Sequence, residues 1–177
     1  MKRALIGALR VANGRALLGW LRMWHFVLLM SLVWPCTAIA QGPSLDVAVI
    51  VNPNNPVDNL TLSELRRIFM GDKHNWPNKA PMKLLVSAPG AHDRVVMLKL
   101  VGMSDSDYKQ FWTAQVVRGE ADAEPVMLPS FGMVKEAATL YLGAIAMVEF
   151  RDIKPGMQIK VVKVDGHLPG EQGYPLH

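Results

Sequence analysis

A turn that leads into a predicted helix, residues 87–94 with the sequence SAPGAHDR, holds the residues best suited to bind a small ligand. The first backbone N–H groups of a helix have no partner within it, and the helix dipole adds about half a positive charge there, which suits an oxyanion. Arg94 would add a bidentate guanidinium, and His92 a further hydrogen-bond donor. Gly90, Ala91, His92 and Arg94 are therefore candidate ligand-binding residues.

Asp93 supports a different interpretation of the same turn. A carboxylate at the start of a helix caps the free N–H groups and occupies the position that an anion would take. In this alternative, Asp93 is a cap and Arg94 is a solvated surface residue. Capping is favoured because aspartate is so common at this position, but the residues alone leave both interpretations open.

Asn52 and Asn54 form a second candidate, because they follow a predicted strand and α/β domains tend to bind ligands just past strand ends. The neighbouring Pro53 and Pro56 favour the alternative that these asparagines only build a turn. The turn is the commoner role for asparagines in such a setting.

Trp76 lies in a loop, within the sequence Asn75-Trp76-Pro77. A loop tryptophan can be an exposed contact for a ligand or partner, or a lid over the hydrophobic core. The sequence does not separate these two roles.

Sequence motifs for metal binding and catalysis are missing. The four histidines after residue 40 stand neither at i, i+4 spacing nor in an H-E-x-x-H motif: His74, His92, His167 and His177. The methionines are dispersed, which is typical of core filling rather than of copper binding. There is no G-x-S-x-G motif and no glycine-rich phosphate loop. We therefore expect a non-catalytic protein with no metal and no cofactor.

Residues 1–40 have the order of features that defines a secretory signal peptide. Basic residues such as Arg22 precede an apolar run, Phe26–Trp34, and the small-residue site Ala38-Ile39-Ala40 follows. The apolar run is shorter than the roughly 20 residues that span a bilayer. We expect cleavage between Ala40 and Gln41 and a periplasmic or secreted protein; the alternative is a membrane anchor formed by the uncleaved segment.

Removal of this segment changes the charge of the protein. The whole chain has 19 Lys plus Arg against 15 Asp plus Glu, but five of the basic residues and none of the acidic ones precede Gln41. The remainder has a net charge of about −1 with neutral histidines, so the basic pI of the whole chain is no evidence for a nucleic-acid partner. The only cysteine, Cys36, is also lost, which leaves packing alone to stabilise the domain.

The elements that must position the candidate residues indicate one α/β domain, residues 41–177. Short β-branched runs alternate with amphipathic helices that have recognisable caps, such as Thr61 with Glu64. This alternation predicts a three-layer-like domain with about four helices and a mixed sheet of about four to five strands, mostly parallel with an antiparallel closing strand. The predicted strands are Asp46–Asn52, Lys83–Ser87, Ala144–Phe150 and Gln158–Val164, and the predicted helices begin at Thr61, His92, Ser104 and Ser130.

The order of motifs resembles one lobe of the periplasmic phosphate-binding proteins, a family with a type II periplasmic-binding-protein fold. A strand leads to a helix that ends in Ile68-Phe69-Met70-Gly71, and a tryptophan loop follows. Later come the turn 87–94, a Phe-Trp helix that ends in Arg118-Gly119, the Gly-x-Ile strand at Gly143, and the closing segment 164–177. The resemblance covers about Asp46 to His177 and implies a short, single-lobe relative of this family.

The resemblance implies a protein that captures phosphate or another small oxyanion and releases it to an ABC-type membrane transporter. Two departures favour the alternative of an accessory module that binds a protein partner and no small ligand. The chain after residue 40 has roughly half the length of a two-lobed binder, and the family's Ser-Gly-Thr motif is replaced by Ala91-His92-Asp93. A homodimer could supply the missing wall of a ligand site.

Overall fold

The computed structural model describes residues 45–177, which belong to one compact unit, Gln41–His177. Within this part of the chain lie four α-helices: α1 (Leu62–Phe69), α2 (His92–Val101), α3 (Asp105–Val117) and α4 (Phe131–Leu140). The strands are β1 (Val47–Val51), β2 (Asn59–Leu60), β3 (Lys83–Ser87), β4 (Val126–Leu128), β5 (Ala144–Glu149) and β6 (Lys160–Val164). The predicted signal peptide and Cys36 lie outside the described residues.

The strands form a single mixed sheet with the order β2-β6-β1-β5-β3-β4. β1 is antiparallel to both of its neighbours, β5 and β6, whereas β2, β3, β4, β5 and β6 all run in one direction. The predicted α/β class and mixed sheet are confirmed. The sheet has one strand more than expected because β2 and β4 are only two and three residues long, and each adjoins a proline-containing loop whose turn character dominates the pattern.

The predicted position of the antiparallel strand was wrong. We expected it to close the sheet, but it is β1, in the interior between β5 and β6. All five residues of β1 are buried, because both faces of the strand and both of its edges are covered. A continuous apolar run indicates such burial but carries no information about strand direction.

Each face of the sheet packs against helices, which confirms the layered architecture. One face carries alternate β1 residues such as Val49 and packs on α1, α2 and α3 through side chains such as Phe69 and Met97. The other face carries Ile50 and is covered by α4 through residues such as Val134. Successive side chains of each strand point to opposite faces of the sheet, so the same strands contribute apolar side chains to both hydrophobic cores.

The helix boundaries follow their caps. The Thr61–Glu64 capping box at the start of α1 is complete, and the Ser104 and Ser130 side chains each accept a backbone N–H in the first turn of α3 and α4. The sequence predicts that the last helix extends from Ser130 to Leu142, where Gly143 ends it, but α4 stops two residues earlier, at Leu140. None of the helices in residues 45–177 is both long and apolar enough to cross a membrane.

Two buried tyrosines lie in the core beside α1 and β1. The Tyr108 hydroxyl donates to the carbonyl of Phe69 at 3.0 Å, and the Tyr174 hydroxyl donates to the carbonyl of Val47 at 2.7 Å. Burial raises the pKa of both phenols, because the phenolate would lose its hydration. Each phenol therefore binds its proton more tightly in the folded state than in the unfolded chain, where its pKa is about 10.

This shift predicts loss of stability at high pH. A raised folded-state pKa gives a stabilising contribution that is complete below the unfolded pKa and is lost as the pH rises above about 10. We expect the free energy of unfolding, measured with urea, to fall from about pH 10 upward. The double variant Tyr108→Phe/Tyr174→Phe should be less stable at neutral pH but should lose less stability with rising pH. An unchanged slope in that variant would rule out these phenols as the cause.

Candidate functional site

The turn before α2 is built around the carboxylate of Asp93, whose side chain is 6% exposed. One carboxylate oxygen accepts the hydroxyl of Ser87 at 2.5 Å, and the other accepts the backbone N–H of Arg94 at 2.9 Å. Asp93 therefore places negative charge at the N-terminus of α2, where the helix dipole favours an anion. Asp93 is the second residue of the helix rather than its N-cap, which is Ala91, but its carboxylate does accept one N–H group of the first turn.

Arg94 is buried, whereas the capping interpretation expected it to be a solvated surface residue. The residue is 7% exposed, its Nε donates to Asp105 at 2.5 Å, and another guanidinium nitrogen donates to the carbonyl of Ser87 at 2.8 Å. The guanidinium thus holds α2 against the start of α3 and the end of β3. The two guanidinium N–H groups that make these bonds are therefore not available to an external anion.

The charges around this turn are mainly acidic. β1 begins and β3 and β5 end at this side of the sheet, because Val47 pairs with Glu149 and β3 runs parallel to β5. Glu149 forms an ion pair with Arg151, and Asp46 accepts the backbone N–H of Gly170 at 2.6 Å. Arg94 and Arg151 each form an ion pair with a carboxylate, which offsets the positive charge that would attract an oxyanion.

His92, Gly90 and Ala91 complete the predicted turn. Gly90 has a φ of 87°, and Ala91 is the N-cap of α2, with no side-chain hydrogen bond to the helix. The His92 ring lies 3.0 Å from the carbonyl of Leu45, which ties the first turn of α2 to the chain that enters β1. The turn therefore leads into a helix as predicted, and its polar side chains contact other parts of the protein.

Asn52 has a structural role that the sequence did not indicate. Its amide donates to the carbonyls of Ala138 and Thr139 at 3.0 and 2.9 Å, which caps the end of α4, and its oxygen accepts the N–H of Asn54 at 3.0 Å. Asn54 is exposed. The expected turn is present, and the buried Asn52 side chain additionally fixes α4 to the end of β1.

The two groups of candidate residues lie at opposite ends of the sheet. Val51 and Leu84 both pair with Ile145, so Asn52 follows one end of the strands while Ser87 lies at the other. Four residue steps separate Asn52 and Ser87 along the strand direction, which is about 13 Å at 3.3 Å per residue. Because β1 is antiparallel, the structure does not bring these predicted site residues together.

Trp76 is part of the core. It is 2% exposed, and its indole N–H donates to the carbonyl of Gly143 at 3.0 Å. Of the two predicted roles, the lid over the core is therefore the one observed. The same Gly143 carbonyl accepts the N–H of Lys83, so one glycine joins the tryptophan loop to β3 and β5.

A large concavity lies at the amino ends of β3, β4 and β5, where no sequence pattern indicates a site. We call it the amino-end groove; it has a volume of about 1000 Å³ and its apolar lining includes Ile68, Leu84 and Trp112. Its charged lining comes from separate segments of the chain, which explains why local sequence patterns did not reveal it. Among residues 45–177, no group of three or more His, Cys, Asp or Glu is arranged to bind a metal.

No protein-family model matches the chain, and no curated protein shows a significant match. Solved structures do match. A substrate-binding protein assigned to phosphate ABC transport from Clostridium perfringens, solved with bound phosphate, has a TM-score of 0.56 at 23% identity over 70% of this chain and 46% of its own. An ABC-type phosphate transport receptor from Vibrio cholerae gives 0.55 at 17% identity, over 71% of this chain and 50% of its own.

PstS from Borrelia burgdorferi gives a TM-score of 0.54 at 15% identity, over 70% of this chain and 49% of its own length. At these identities the likeness is one of fold. The chain spans about half the length of each of these proteins, as expected for one lobe. The chain therefore has the fold of one lobe of a phosphate-binding protein.

Proposed function

We propose that this protein is an exported, non-catalytic domain that works through a protein partner and does not capture a free oxyanion on its own. One observation carries this proposal. At the N-terminus of α2, where the sequence analysis expects an anion to bind, the Asp93 carboxylate already accepts the Ser87 hydroxyl and the Arg94 N–H. A second anion at this place would meet a fixed negative charge a few ångströms away.

The size of the domain supports the same proposal. Small-molecule sites bury most of the ligand surface, and a two-lobed binder does so by closing from both sides. A single lobe leaves the ligand half exposed, so fewer contacts offset the loss of translational freedom on binding. This chain covers only about half the length of the matched structures, one of which holds phosphate.

Export is a proposal that rests on the sequence. The basic, apolar and small-residue segments of residues 1–40 support cleavage after Ala40 and a periplasmic or secreted location. The domain beginning at Gln41 has no cysteine and needs no disulfide in an oxidising compartment.

Capture of phosphate for an ABC-type transporter is the second candidate function. The bound phosphate of the Clostridium perfringens protein favours it, since that protein shares this fold. In this case Arg94 and the N–H groups of α2 would hold the anion, and Arg94 would have to leave Asp105. The matched structures are substrate-binding proteins, which agrees with a non-enzymatic role in either case.

A thermal-shift series separates the two functions. A ligand at 100 times its dissociation constant stabilises the folded state by about 2.7 kcal/mol, which raises the melting temperature by several degrees. We expect the chain from Gln41 to show no shift with millimolar phosphate, sulfate, nitrate or molybdate at constant ionic strength. A shift of several degrees with one anion alone would support the transport function instead.

A further inference from the structure

The amino-end groove carries charges of both signs. Lys73 and Lys83 line it from the segments on either side of the tryptophan loop. Glu120, Asp122 and Glu124 line it from the loop between α3 and β4, with an alanine between each pair of acids. The groove therefore presents cations and carboxylates around one apolar floor.

The rim of this groove exposes three consecutive large apolar side chains. Leu140 is the last residue of α4, Tyr141 and Leu142 follow it, and the three are 71%, 40% and 62% exposed. The Lys83 ammonium lies 4.0 Å from the centre of the Tyr141 ring, which places a cation beside the apolar rim. Exposed leucines and tyrosines next to a concave apolar surface are typical of a protein interface.

We propose that the amino-end groove binds a second copy of this chain in a symmetric dimer. In a twofold interface the same patch faces itself, so a residue i of one copy meets j of the other and j meets i. A patch with both signs of charge, apolar knobs and an apolar groove can satisfy this condition. Lys83 of each copy meets the acidic loop of the other, and Leu140 and Leu142 enter the other copy's groove.

The charge pattern argues against a lipid surface as the occupant. Anionic headgroups attract lysines, but they repel an adjacent row of carboxylates. Strand addition at β4 is also disfavoured, because this edge strand has only three residues and stands between Pro125 and Pro129. A copy of the chain matches the mixed charges and uses side chains rather than the strand edge.

The patch is small compared with the roughly 800 Å² per partner of a standard stable interface. We therefore expect a weak dimer, with a dissociation constant on the order of 100 μM. This surface lies at the opposite end of the sheet from Asp93. A result that contradicts the dimer therefore leaves the proposal about anion binding unaffected, and the reverse also holds.

A charge exchange followed by sedimentation equilibrium tests the dimer, using the chain from Gln41 at about 10 μM to 1 mM. Lys83→Glu and Asp122→Lys each place like charges across the interface, so each variant alone should dimerise at least tenfold more weakly than the unchanged chain. An equimolar mixture of the two restores opposite charges in both contacts and should recover the dimer. Lys99→Glu, on the exposed part of α2, is the matched control and should behave as the unchanged chain.

Leu142→Glu tests the apolar part of the interface and should abolish self-association, with an unchanged circular dichroism spectrum. The dimer is contradicted by a chain that is monomeric throughout this concentration range, whether or not it binds vesicles of phosphatidylglycerol. It is also contradicted by a mixture of the two charge variants that associates no better than either alone.

Discussion

Replacing Asp93 with serine is expected to create phosphate binding in a domain for which we propose none. The change removes the carboxylate that accepts the Ser87 hydroxyl and the Arg94 N–H, and it supplies a hydroxyl in its place. Free N–H groups at a helix start, two hydroxyls and a nearby guanidinium form an oxyanion site. We expect a millimolar dissociation constant by isothermal titration, at least tenfold tighter than any value for the unchanged chain.

Asp107→Ser is the matched control. Asp107 lies in the first turn of α3, so its replacement removes one negative charge from a helix N-terminus in the same way, but the side chain is exposed. We expect no phosphate binding in this variant. If Asp93→Ser is folded and still gives no heat with phosphate, the carboxylate is not what keeps the anion out.

Gly143→Ala is expected to destabilise the domain by about 3 kcal/mol or more, a large part of the usual 5–15 kcal/mol. A β-carbon at this position would lie 1.7 Å from the carbonyl oxygen of Pro81 and 2.8 Å from its carbonyl carbon. Relief requires the backbone to separate, which also stretches the hydrogen bonds from Trp76 and Lys83 to Gly143. The melting temperature should fall by on the order of 10 °C.

Gly132→Ala provides the comparison for Gly143→Ala. Gly132 lies in α4, and the atom nearest to an added β-carbon is the Ser130 hydroxyl oxygen at 4.0 Å. Without a clash, alanine should stabilise this helix by about 0.5–1 kcal/mol. Equal melting temperatures for the two variants would show that the approach of Pro81 to Gly143 is not as close as described.

The elements of this fold could be predicted because their signals are local. A capping box fixed the start of α1, a serine cap fixed the start of α3, and the continuous apolar run fixed β1 as a buried strand. The short strands β2 and β4 could not be predicted, because two or three residues next to prolines show no period.

The candidate site was only partly predictable. The place of Asp93 in the first turn of α2 follows from its position in the sequence, but the burial of Arg94 depends on Asp105, which is eleven residues away and in another helix. The separation of Asn52 from the α2 turn depends on the direction of β1, which only strand pairing reveals. The amino-end groove is built from segments far apart in the sequence, so no local pattern could indicate it.

The central claim is that Asp93 fills the anion position and Arg94 is engaged within the protein. Isothermal titration of phosphate into the unchanged chain from Gln41 tests it most directly. We predict only heat of dilution up to millimolar phosphate. A saturable signal that fits one site per chain with a submillimolar dissociation constant, and that disappears in Arg94→Ala, would contradict this account.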